Sequence, residues 1–354
     1  MSGAGTGVGG VGAGRIPLIL DVDTGIDDSL ALLYTAASPE VELIAVTALS
    51  GNVEVTDTER NTRAVLELAG LGHVPVHAGP AVPLSRPLEI TPETHGPRGI
   101  GHAELPEPAA ARGDRHAVDV IVEAARQRPG EITLVTLGPL TTLEAALRAE
   151  PRLPWLLRRW IMMGGAFTVP GNTTPVCEWN IHCDPEAAAV CFDAWSAAVS
   201  VPEGEGEGPA RRMLAMGLDV TEKARILPEH LERLWARAGA TPATNGVLRF
   251  IDDALRFYFE FHAKYDGFYG AFIHDPLVTA VAIDGAEASS MIGDIRPWFV
   301  AVDACGGPGD GQTIADRRGT TGKLPNADVV MAGDPDEFLR RLIERVGGLA
   351  AARG

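Results

Sequence analysis

As far as residue 163, short apolar runs rich in β-branched side chains alternate with stretches of helical periodicity. No other feature restricts the fold as much. Ile16–Val22 is an unbroken apolar run that fits a buried strand, and a helix is expected from Ser29 to Ala37. Val41–Leu49 (V-E-L-I-A-V-T-A-L) reads as the next strand, followed by a helix from about Asp57 to Ala69 and a short strand over Val74–Ala78. Helix Val118–Arg128, strand Glu131–Leu137, helix Thr142–Arg148 and strand Trp160–Met163 continue the series. Strands separated by helices in this way lie parallel, with helices on both faces of the sheet. A chain of 354 residues with 45% hydrophobic side chains can bury a large core without staples. The expected class is therefore α/β, an open and mostly parallel sheet, in a single domain spanning 15–350.

The strands end in similar ways. D-V-D-T-G-I-D-D, L-S-G-N, L-G-P-L-T and M-G-G-A-F are polar or glycine-rich, and each sits at the carboxyl end of its strand. In an open α/β sheet that edge is where loops converge on a ligand. One such segment could be only a turn; four together favour a composite site.

The first segment brings Asp21, Asp23, Asp27 and Asp28 within eight residues. Thr24-Gly25-Ile26-Asp27 resembles a capping box, and acids in a first helical turn complement the helix dipole. Those roles account for one or two carboxylates. Four at the end of a buried strand repel one another at high cost unless a cation joins them. Hard carboxylate oxygens select calcium or magnesium over zinc. An EF-hand loop would need an acid or Asn at Gly25 and a helix on either side, and neither condition holds. Asp21, Asp23 and Thr24 also resemble the opening of phosphatases of the haloacid-dehalogenase type. That reading needs a late acidic pair, and the only candidate, Gly333-Asp334-Pro335-Asp336, lies too close to the C-terminus.

Charge narrows the partners. A net charge of −17 disfavours nucleic acid and anionic membranes, while a small neutral substrate or one held through a cation is compatible with it. Cys177, Cys183, Cys191 and Cys305 form no close C-x-x-C pair and read as reduced core thiols. Residues 1–14 read as a disordered glycine-rich tail without signal-peptide character, and 202–209 (P-E-G-E-G-E-G-P) as an acidic surface loop. No apolar run is long enough for a bilayer, so a cytoplasmic location is expected.

Read together with Asn52, Met162-Met163-Gly164-Gly165, Gly171-Asn172, Glu178-Trp179-Asn180 and Ile273-His274-Asp275-Pro276, the aspartate cluster resembles the inosine–uridine preferring nucleoside hydrolase family. The resemblance runs from about Arg15 to about Phe338. D-x-D-x-G-x-D-D alone is moderately specific; joined to E-x-N-x-x-x-D-P-E-A-A and H-D-P-L it is highly specific. The resemblance implies a Rossmann-related sheet with a helical cap, roughly Pro228 to Tyr269. It also implies calcium-dependent hydrolysis of ribonucleosides to ribose and free base, in purine or pyrimidine salvage, by a homodimer or homotetramer.

By the same resemblance Asp23 would ligate calcium and act as general base toward the attacking water. Asp28, Asp275 and the Leu137 carbonyl would complete the protein ligands, with Asp21 supporting them. Asp27, Asn52, Asn172, Glu178 and Asn180 would bind the ribose hydroxyls, with Met163 beneath the sugar. His274 would serve the departing base, and His95 lies on a family loop near the site. In the aromatic stretch Phe250–Phe272, Phe257 and Phe261 read as core-facing, while Tyr265 and Tyr269 are the candidates for the base pocket. Three alternatives stand beside this reading: a magnesium-dependent phosphatase, a non-catalytic calcium and nucleoside binder, and a hydrolase of another N-riboside.

Overall fold

The computed structural model describes residues 14–110, 112–208, 210–285 and 289–354. Gly14 apart, the glycine-rich tail lies outside the described residues, as does Pro209. The strands are β1 (Ile16–Val22), β2 (Val41–Ala48), β3 (Val76–Ala78), β4 (Thr133–Thr136), β5 (Arg159–Met163) and β6 (Met213–Met216). They continue with β7 (Arg225–Ile226), β8 (Ala271–Phe272), β9 (Ile295–Trp298), β10 (Val300–Val302), β11 (Thr313–Ala315) and β12 (Ala327–Val330). Eight of them form the central sheet in the order β3-β2-β1-β4-β5-β6-β12-β9, parallel except for β9, which runs antiparallel to β12 at one edge. The α/β class expected from the sequence is the one observed.

The strand order reverses direction between β1 and β4, so the loops after these two strands leave in opposite directions and open a crevice at the carboxyl edge. The period of two along β1 sorts its side chains between the faces. Leu18, Leu20 and Val22 join one apolar cluster with the helices Ile26–Ala36, Gly246–Tyr265 and His274–Ile283, whereas Ile19 joins a second cluster on the other face. These leucines are wholly buried, and each such side chain is worth roughly 2 kcal/mol in apolar burial.

The first helix begins at Ile26, three residues before the expected Ser29, because its acids lie inside its first turn rather than ahead of it. Asp28 accepts the Gly25 N–H at 2.8 Å through Oδ2, and a carboxylate suits the positive end of a helix. The helical segment near the site also differs from expectation. Of its two main helices, Gly246–Tyr265 reaches the carboxyl edge, whereas Pro228–Ala238 packs against the C-terminal helix Pro335–Arg353. Asp334, weighed above as part of a late acidic pair, caps that C-terminal helix by accepting Glu337 N–H at 3.0 Å. Cys177, Cys183 and Cys191 are buried free thiols as expected, but Cys305 is exposed. Residues 202–208 form exposed turns. Among the described residues no helix is long and apolar enough to cross a membrane.

Candidate active site

At the end of β1 the chain delivers Asp21 and Asp23 to the crevice, and the next helix adds Asp27 and Asp28. Asp275 arrives from the first turn of the helix His274–Ile283. All five are buried. Oxygens of Asp27, Asp28 and Asp275 lie within 4.8 Å of one another. The sequence reading names Asp23, Asp28 and Asp275 as the acidic ligands; Asp27 completes this compact group. Asp23 stands beside it, its Oδ2 accepting Asn52 N–H at 2.8 Å. The loops that follow β2 and β4 close on its carboxylate so tightly that a Cβ on Gly51 would strike Oδ2, and one on Gly138 would lie 2.7 Å from Oδ1. This contact is why L-S-G-N and L-G-P-L-T carry glycine at those positions.

No arginine or lysine forms an ion pair with these five acids among the described residues. Their pKa values show the cost. Burial, then repulsion from Asp28 and Asp27, pushes Asp23 well up, and burial with repulsion from its neighbours does the same to Asp275. Burial and repulsion from Asp28 raise Asp27 to about 7, against the lowering influence of the nearby His274 and Asp275 backbone N–H groups. Burial raises Asp21 to about 7 against the hydrogen bond it accepts from Thr47 Oγ1 at 2.6 Å. Asp23 Oδ1 and Asp28 Oδ1 are buried without any hydrogen-bond donor. Orphaned carboxylate oxygens around a compact triangle fit a hard divalent cation, which would supply the missing positive charge.

Above the acids lies a cavity of about 560 Å³. Asp27, Asn52, Leu137, Met163, Asn180 and Asp275 line its inner part. Glu178 caps the short helix Trp179–Cys183, its Oε1 accepting Asn180 N–H at 2.9 Å and its Oε2 accepting Gly165 N–H at 2.9 Å. Asn180 Nδ2 donates to the Leu137 carbonyl at 2.6 Å, so that expected ligand atom already has one partner and keeps a second lone pair. Asn172 is exposed and holds Trp179 N–H at 3.0 Å, a turn contact at the cavity wall.

Two expected histidines line the cavity. His95 Nδ1 accepts Ile26 N–H at 3.1 Å, and burial, helped by His262, lowers its pKa to about 3. His274 Nδ1 meets Thr221 Oγ1 at 2.8 Å, and burial followed by His262 and His95 lowers its pKa to about 3 as well. Both rings are therefore neutral near pH 7.

The aromatic stretch divides between cavity, core and surface. Tyr265 lines the cavity, but Tyr269 does not; it is 52% exposed and sits edge-on to Phe259. Phe257 and Phe261 both pack against the core as expected, and Phe261 also lines the cavity. Tyr258, His262, Glu222 and Asp266 also line it and were not singled out. The spacing Tyr258, Phe261, His262, Tyr265 is the i, i+3, i+4, i+7 stripe of one helix face, the available signal for the first two and His262. Nothing local marked Glu222. Among the described residues the lining holds no arginine or lysine.

The sequence profile of the inosine-uridine preferring nucleoside hydrolases matches residues 18–340. The pyrimidine-specific ribonucleoside hydrolase RihA of Salmonella arizonae is 35% identical over 332 residues, covering 94% of this chain and 98% of that protein. RihA of Citrobacter koseri is 34% identical, covering 95% of this chain and 99% of its own. Among solved structures, a purine-preferring ribonucleoside hydrolase from Gardnerella vaginalis superposes with a TM-score of 0.83 at 30% identity, over 95% of this chain and 99% of that one.

Proposed function

Because this chain belongs to the inosine-uridine preferring nucleoside hydrolase family, we propose that it is an N-ribosyl hydrolase that cuts ribonucleosides to ribose and free base with the help of calcium. One observation carries the reading. Five buried carboxylates lie beneath a cavity, and among the described residues they have no cationic partner and the lining holds no arginine or lysine. Such a cavity suits a neutral sugar-bearing ligand and repels phosphate, which disfavours the phosphatase reading and excludes nucleotides as good substrates.

We assign Asp23, Asp28, Asp275 and the Leu137 carbonyl to the cation. Calcium, when bound, supplies the positive field that acidifies water and holds a vicinal diol. The chain's own groups do the rest. Asn52 N–H anchors Asp23 through Oδ2, which leaves Oδ1 to take the proton of the attacking water. That water adds to C1′ as the C1′–N bond breaks, and the bonding pair leaves with the base. Asp27, close to the backbone N–H groups of His274 and Asp275, accepts from the ribose hydroxyls together with Asn52, Asn172, Glu178 and Asn180. Met163 packs beneath the sugar. Thr221 Oγ1 donates to Gly217 O at 3.2 Å and so accepts from His274 Nδ1–H, which presents His274 Nε2 toward the departing base.

The test is release of reducing sugar from a panel of ribonucleosides, with and without a chelator. Activity should vanish on chelation and return with calcium ahead of magnesium or zinc. Turnover that survives complete metal removal would contradict the assignment. Binding of nucleoside without release of base would leave only a binding protein.

A further inference from the structure

The relatives divide over the base they prefer, one pyrimidine-specific and one purine-preferring, so base choice must be read from this chain's own cavity. The inner part is occupied by the acids and amides assigned to the sugar. The remaining wall carries Tyr258, Phe261, Tyr265 and Phe272, flat faces suited to a planar ring. Three polar side chains share that end: Glu222, Asp266 and His262.

Their hydrogen-bonding capacities all have the same sense. Asp266 Oδ2 meets His262 Nδ1 at 2.7 Å. A carboxylate can only accept, so Nδ1 carries the proton and the neutral ring offers Nε2 as an acceptor. His262 is 4% exposed, and its Nε2 is buried with no hydrogen-bond partner among the described residues. Glu222 adds a second carboxylate. Burial and then the Asp266 charge raise its pKa, which places the two acids within electrostatic reach of each other. The neighbouring cation, Arg225, lies over the rings of Phe268 and Phe272 at 4.9 and 5.0 Å and is not part of the lining. The tyrosine hydroxyls can donate or accept, whereas these three side chains offer acceptors and an anionic field that favour donors on the base.

We propose that Glu222, Asp266 and His262 select nucleobases that present an exocyclic amino group, so that for a given ring size the amino base is preferred over its oxo counterpart: cytidine over uridine, and adenosine over inosine. An amino group places N–H donors against these acceptors, whereas a carbonyl at the same position sets an acceptor against a carboxylate. The inference rests on the ribonucleoside hydrolase reading of the site.

The experiment measures ribose release from the four nucleosides by the calcium-loaded full chain, alongside Glu222→Gln and Asp266→Asn. Wild type should favour each amino member by about tenfold or more in kcat/KM, mostly through KM. Either variant should bring the ratios toward one. Inhibition by free cytosine against uracil, and adenine against hypoxanthine, gives the same comparison on wild type alone should a variant fail to fold. Oxo bases equal to or better than amino bases in wild type would overturn the inference, as would ratios that stay within twofold of wild type in a folded Glu222→Gln. No ribose from any nucleoside would instead sink the underlying reading, and the inference with it.

Discussion

The two ends of the cavity are built by different means. The inner end gathers residues from distant parts of the chain, with Asp23, Asn52, Leu137 and Asn180 each placed at or just past the carboxyl end of a strand or at a helix start, and Asp275 in a first helical turn. Backbone N–H groups fix its carboxylates, and two glycines close on one of them. The outer end comes largely from one helix face and the loop after it, with side chains as exposed as Tyr265 at 57%. A rigid, dry inner end suits chemistry, which penalises small misplacements, while a partly open outer end suits recognition of a flat ring.

Substitutions at the two ends should separate accordingly. Asp23→Asn should lower kcat by about 10⁴-fold, since it removes both the proposed base and a ligand. In chelator the same variant should melt no lower than wild type, because a buried and uncompensated charge is gone. A folded variant with near-normal kcat would dissociate Asp23 from the chemistry. Next, 2′-deoxyribonucleosides should fall by about 10³-fold in kcat/KM, as buried partners of the missing hydroxyl go unpaired. Comparable rates on the two sugars would show that the inner amides and acids do not read the ribose.

A smaller effect concerns acid. His95 stays neutral in the fold down to about pH 3, whereas the unfolded chain protonates it near 6.5. Its contribution is therefore present above pH 6.5 and is lost as pH falls from there toward 3, by an amount on the order of a few kcal/mol. His95→Gln keeps an acceptor for Ile26 N–H without titrating. The stability difference between the two proteins should thus shift in favour of the variant on acidification, and parallel pH profiles would refute this.

At the outer end, Tyr265→Ala should raise KM by about tenfold with little change in kcat, and Tyr269→Ala should do neither. Equal effects would mean that the base lies elsewhere along the helix. Shortening 202–208, which lies among exposed turns, should leave kinetics unaltered; a loss of activity would connect that loop to the site.

The same division governs what the sequence could reveal. The first five strands were legible within about two residues because each is a short apolar run bounded by turn residues, and their polar ends pointed to the site. The later sheet strands β6, β9 and β12 were not anticipated. They lie beyond the stretch in which apolar runs alternate with helical periodicity, and they are held in place by neighbours far away in the chain. Motifs named Asp27, Asn52, Leu137, Met163, Asn180 and Asp275, which the fold brings to the inner part of the cavity, since several backbone and charge demands coincide there. They did not show how close Asp27 would lie to Asp28 and Asp275, a matter of side-chain packing. The aromatic wall was blurred because a helix stripe of rings reads alike whether it faces a core or a cavity. Phe261 does both, packing against the core and lining the cavity.

The bare α-carbons of Gly51 and Gly138 have a practical corollary. They form a collar cut to the width of one carboxylate, and even a methyl group at either would dislodge it. Laboratory evolution toward new bases can vary the helix wall freely, but a library that touches the collar should yield mostly dead clones.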